Sequence, residues 1–178
     1  MRSMLLLAVL GGIQAVTAGM DLIDRQFPKL IVLVSSTTPT TVIGTKFEGL
    51  ISPDVYTEVL FDVPSKVAQL CRVNFHIARE HWAIMGDQPF IFNISTLDRS
   101  VNKDKDTWKD RPSPVHWVAT VQVTYLGKVT FLNGGDGRVS CAKGKPASFL
   151  LHPTAEVGLL NWYELARPLH GIVYEMHN

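Results

Sequence analysis

Val115-His116-Trp117-Val118-Ala119-Thr120-Val121-Gln122-Val123-Thr124-Tyr125 decides the fold class. Every odd position is apolar, and the even positions are polar apart from Val118. Side chains alternate across an extended strand, so the pattern predicts a strand with one buried face. Its parity puts Trp117 in the core. Cys71-Arg72-Val73-Asn74-Phe75-His76-Ile77 alternates without a fault, and Val55–Val63 and Phe90–Ser95 do so more loosely. Lys128–Leu132 and Ile172–Met176 are shorter versions, and Leu30-Ile31-Val32-Leu33-Val34 suits a fully buried strand. Ser52-Pro53-Asp54, Val63-Pro64-Ser65, Gly86-Asp87 and Asn133-Gly134-Gly135-Asp136-Gly137 punctuate these runs as turns. A helical apolar period is nowhere sustained for three turns; Glu80–Met85 offers one helical turn at most. Short strands at such spacing predict an all-β fold, an antiparallel β-sandwich in a single domain.

Composition narrows the function classes. The 178 residues are 46% hydrophobic and carry 17 basic against 16 acidic side chains. A net charge of +1 leaves no footprint for nucleic acid or an anionic membrane surface. Arg2, then the run Met4–Leu10, then Val16-Thr17-Ala18 follow the order of a secretory signal peptide over residues 1–18. The run is far short of the roughly 20 apolar residues that span a bilayer. Cleavage after Ala18 removes Arg2 and brings the mature charge balance to zero. The expected location is therefore secreted or extracellular, without a membrane span.

Two further segments lack alternation. Residues 19–40 read as an N-terminal segment ending in a Ser/Thr-rich connector, Ser35–Thr41, which places the sandwich domain at 41–178. Asp98–Pro114 carries nine charges and only two sizeable apolar residues, Val101 and Trp108. A loop that long is a functional element or a solvated insertion.

Cys71 shares parity with Val73, Phe75 and Ile77, and Cys141 shares parity with Val139. Two core-directed cysteines in an oxidising compartment predict a Cys71–Cys141 disulfide. Asn93-Ile94-Ser95 is a glycosylation sequon whose Asn93 lies opposite the apolar face of Phe90, Phe92 and Ile94. No histidine pair has metal-ligand spacing, and no hydrolase elbow or metalloprotease motif occurs, so no catalytic, cofactor or metal residue is assigned. Asn102–Asp106 lacks the glycine and distal glutamate of a calcium loop. Trp82 and Trp108 fall in segments without a buried face, which makes them the candidate surface anchors. Trp162 fits either core or rim.

Leu60-Phe61-Asp62-Val63-Pro64 followed by Cys71–Ile77 resembles a pattern of a fungal family, the ubiquitin 3 binding protein C-terminal domain family. Cys141, Phe149-Leu150-Leu151, Leu160-Asn161-Trp162-Tyr163 and Pro168–Val173 are similar too, so the likeness spans Thr41 to Glu175. The chain departs from the family at Val67-Ala68-Gln69-Leu70, where a glycine-lysine-threonine lead-in is usual, and at the charged insertion. The resemblance implies an all-β domain, commonly secreted or cell-surface, with no established catalytic set. Its namesake binds an enzyme that activates a ubiquitin-like modifier; a signal peptide conflicts with that cytosolic role.

The leading expectation is an extracellular or cell-wall binding or structural module without catalysis or cofactor. Its partner is a carbohydrate polymer or another extracellular protein. Two alternatives stand beside it: a secreted hydrolase with dispersed carboxylates, and a protein–protein adaptor like the family's namesake.

Overall fold

Strands follow the alternation in the computed structural model, which describes residues 20–86 and 88–178. They are β1 (Leu22–Gln26), β2 (Leu30–Ser35), β3 (Glu48–Ile51), β4 (Val55–Asp62), β5 (Leu70–His76), β6 (Trp82–Met85) and β7 (Phe90–Leu97). The second half supplies β8 (Pro114–Val123), β9 (Val129–Leu132), β10 (Arg138–Val139), β11 (Pro146–Pro153), β12 (Leu159–Tyr163) and β13 (Gly171–His177). The signal-peptide expectation lies outside the described residues.

Every named pairing is antiparallel. One sheet runs β1-β13-β5-β10, a larger one β2-β4-β11-β7-β8-β9, and a small one β3-β12-β6. The protein is an all-β, sandwich-like single domain. Inward residues of the two larger sheets, among them Phe61, Phe75, Phe92, Phe149 and Tyr174, form one core that also takes in Ile51, Leu160 and Trp162 of the small sheet. Phe75 lies edge-on to Phe92 at 5.2 Å and to Trp162 at 5.1 Å, the geometry aromatic rings prefer. Trp162 is thus core.

The small sheet depends on Gly49. A Cβ there would lie 2.1 Å from the Trp162 ring. Gly49→Ala is expected to lower the unfolding free energy by about 1–3 kcal/mol, the usual cost of overpacking, in urea denaturation.

Several expectations are corrected. Glu80–Met85 is no helical turn, because β6 pairs with β12. Residues 19–40 are not a segment apart from a domain at 41–178. β1 pairs with β13 and β2 with β4, so the described part of this segment belongs to the sandwich. The Ser/Thr run is a tied turn: Ser36 N–H donates to the Asp54 carbonyl, and Lys109 N–H to the Pro39 carbonyl.

The charged segment 98–113 is ordered over the outer face of the large sheet. Its two apolar residues are the two that hold it. Val101 packs with Val32, Val34 and Leu60, and Trp108 lies 4.6 Å from the Tyr56 ring. Asp106 points inward, accepting from Asn102 N–H at 2.6 Å and pairing with Arg99 at 2.8 Å.

Candidate functional site

The Cys71–Cys141 disulfide is present, with the two Cα atoms 5.1 Å apart. It fastens a segment that little else holds. β10 contributes only Arg138 and Val139 to its pairing with β5. Beyond the bridge, Ala142 N–H donates to the Tyr174 hydroxyl, which in turn donates to the Ser140 carbonyl.

That segment forms one wall of a groove of about 440 Å³ lined by Thr96, His116, Trp117, Arg138, Ser140 and Ser148, among others. Trp117 is here, and not in the core. Ala119 pairs with Ile94, but the next partner of Ser95 is Trp117, so Val118 is an extra residue on β8. Such a bulge reverses the side-chain phase. Val118 turns inward to the core, leaving Trp117 49% and Val115 52% exposed.

The indole is held in place. Trp117 Nε1–H donates to Thr120 Oγ1 at 3.1 Å, and Thr120 O–H donates to Asn93 Oδ1 at 2.7 Å. Gly135 leaves room for the ring, since a Cβ there would lie 2.7 Å from it. Fixing an aromatic face in advance removes the entropy cost of ordering it on binding. A flat apolar face beside hydroxyls, a guanidinium and an imidazole matches a sugar ring, which offers C–H faces and hydroxyl donors and acceptors.

The anchors expected from sequence are otherwise engaged. Trp82 is half-buried against the core, beside Gly127, where a Cβ would lie 3.3 Å from the ring. Trp108 is covered on one side by Tyr56, with the Arg111 guanidinium 4.1 Å from its ring centre. Asn93 does face outward from the core and engages Thr120.

Three glutamates, two buried and one half-buried, are perturbed. Burial, then the nearby Asp106 charge, pushes Glu58 up to about 8, and neither of its carboxyl oxygens has a hydrogen-bond partner. Burial pushes Glu164 up to about 8 against hydrogen bonds from Ile172 and Trp162. Burial also opposes the charge on Glu175, but hydrogen bonds from His76, Arg25 and Asn74 outweigh it and hold the group at about 2. Burial lowers His152 and His170 below the ordinary imidazole range. No group of three metal-capable side chains occurs among the described residues. Five clefts there each carry at most one carboxylate.

The family model for the ubiquitin 3 binding protein But2 C-terminal domain matches residues 26–168. No curated protein matches the chain.

Proposed function

This chain belongs to the But2 C-terminal domain family, and from that premise we propose that it is a secreted, non-catalytic binding module for a cell-wall or host-surface carbohydrate. The observation that carries the reading is Trp117, half-exposed and locked by Thr120 and Asn93 at the edge of a polar groove. The leader-like residues 1–18 and the disulfide support an extracellular location. A glycosidase needs two carboxyls about 5–9.5 Å apart across its substrate site. The neighbouring acids Glu58 and Asp106 are instead both fully buried between the large sheet and the 98–113 segment, which favours the non-catalytic reading.

Retention on insoluble chitin, glucan and cellulose tests the proposal. One polymer is expected to retain the protein, and Trp117→Ala to weaken that retention about tenfold or more while leaving the melting temperature near its starting value. No retention on any of the three removes the carbohydrate reading.

A second reading rests on the family description, which names a ubiquitin 3 binding protein. Under it the chain is an intracellular protein–protein adaptor. N-terminal sequencing distinguishes the two: a chain in the culture medium starting at Gly19 supports secretion, and one retained in cells with Met1 supports the adaptor.

A further inference from the structure

Asn93-Ile94-Ser95 is the one Asn-X-Ser/Thr sequon in the sequence. The register places Asn93 on the outer face of the large sheet, opposite His152 on β11 and Thr120 on β8. Its two sides differ. Toward β11 the face is filled: the His152 ring lies 5.6 Å from Tyr56, which packs against Trp108 of the 98–113 segment. Toward β8 stands Trp117, 49% exposed and two hydrogen bonds away from the Asn93 amide.

Those two bonds set the direction of the amide. The Thr120 hydroxyl accepts from Trp117 Nε1–H at 3.1 Å and gives its only proton to Asn93 Oδ1 at 2.7 Å. Oδ1 is thereby engaged, and Nδ2, the atom that a glycan occupies, is turned away from Thr120. Among the described residues Nδ2 has no protein partner and is not sealed from water. A glycosidic link replaces one hydrogen on Nδ2 and leaves Oδ1 an acceptor, so the relay to Trp117 survives it. An N-acetylglucosamine offers a C–H face and an acetamido methyl, the surfaces that pack on an aromatic ring.

We propose that Asn93 carries an N-linked glycan whose first N-acetylglucosamine packs on the Trp117 indole, so that the chain's own sugar competes with an outside one for this ring. The inference rests on the extracellular reading, since this modification takes place in the secretory compartment. In the transfer, Asn93 Nδ2 attacks the anomeric carbon of a polyprenyl-diphosphate oligosaccharide. A C–N bond forms, the bond from that carbon to the diphosphate oxygen breaks, and Nδ2 gives up one proton as the lipid diphosphate leaves. A tethered sugar has an effective concentration on the order of millimolar, enough to compete with the weak hold of one ring on an outside sugar.

Acrylamide quenching of tryptophan fluorescence tests it on the full chain, expressed in a eukaryotic host and collected from the medium. Glycosidase is expected to lower the mass of the parent but not of Ser95→Ala or Asn93→Asp, which both keep an oxygen for Thr120. Trp162 is buried and Trp82 and Trp108 are half-buried, so Trp117 is the most exposed indole. Both variants are expected to be quenched roughly twofold more strongly than the parent, because the ring loses its cover. Endoglycosidase trimming, which leaves one N-acetylglucosamine on Asn93, is expected to keep the parent shielded. In Trp117→Phe the gain in quenching disappears. On the polymer that retains the protein, Ser95→Ala is expected to bind about tenfold more tightly than the parent. A secreted chain whose mass glycosidase leaves unchanged overturns the proposal, as does equal quenching in the parent and both variants, or equal retention. A chain kept in the cells with Met1 overturns it together with the extracellular reading. Quenching needs no polymer, so it decides the proposal even where none retains the protein.

Discussion

Replacing both bridge cysteines, Cys71→Ala with Cys141→Ala, is expected to lower the unfolding free energy by about 4 kcal/mol. The bridge joins residues 70 apart in sequence, and cross-linking a chain that far apart removes about this much loop-closure freedom from the unfolded state. For a protein of this length that corresponds to a melting temperature roughly 8–16 °C lower. The loss is also expected to be local. β10 has two paired residues, so without the bridge the wall formed by Arg138 and Ser140 rests on the Tyr174 hydroxyl and a few backbone bonds. Urea denaturation of the double variant reads the first effect, and hydrogen exchange of residues 138–142 reads the second. A change below about 1 kcal/mol would show that the ladder alone holds this wall.

The second large effect is on pH. Stability is expected to decline as pH rises from about 6.5 to about 8, opposite to the trend of a protein held by salt-bridged carboxylates. Glu58 and Glu164 keep their protons in the folded state up to about 8, against an unfolded value of 4.5. Across that interval unfolding releases protons, so alkali favours the unfolded chain, by up to about 1.4 kcal/mol per pH unit for each group. His152 and His170 oppose this only below their ordinary value of 6.5, because they are lowered and an unfolded chain takes up their protons there. Near pH 2–4.5 a third effect enters: Glu175, held at about 2, and Asp24, lowered chiefly by its hydrogen bond to Lys66, lose their stabilising charge as acid protonates them. Glu58→Gln removes one of the two alkaline penalties. At about pH 8 it is expected to be more stable than the parent by on the order of 2–4 kcal/mol, with a flatter slope above pH 6.5 in urea titrations. A parent whose stability rises from pH 6.5 to 8 would contradict this account.

How far the sequence discloses such features depends on how local they are. Alternation is local, and the runs at 30–34, 55–63, 71–77, 90–95, 128–132 and 172–176 all coincide with strands. Parity also oriented Cys71, which is fully buried and bridged. The small sheet was obscure because β3 and β6 have four residues each, too few for a period to emerge. Hydroxyl-rich 35–41 looked like a loose connector, yet its hydroxyls and amides bond to Asp54 and to one another. Glu58 sits at a polar position of β4, and what buries it is a segment some forty residues onward, which no local pattern discloses. The groove beside Trp117 is likewise assembled from separated stretches of β7, β8, β10 and β11, and no window along the chain contains it. Val118 was the lone apolar residue at an even position of the deciding stretch, and it is the residue that the bulge inserts.

That inserted residue divides β8 into an exposed half and a buried one. From Ala119 onward odd positions serve the interior, while Pro114–Trp117 are exposed at both parities. Substitutions at His116 and Trp117 can therefore alter the groove without touching the residues that keep the sandwich shut. A single codon thus separates the part of this strand that serves the groove from the part that serves the core.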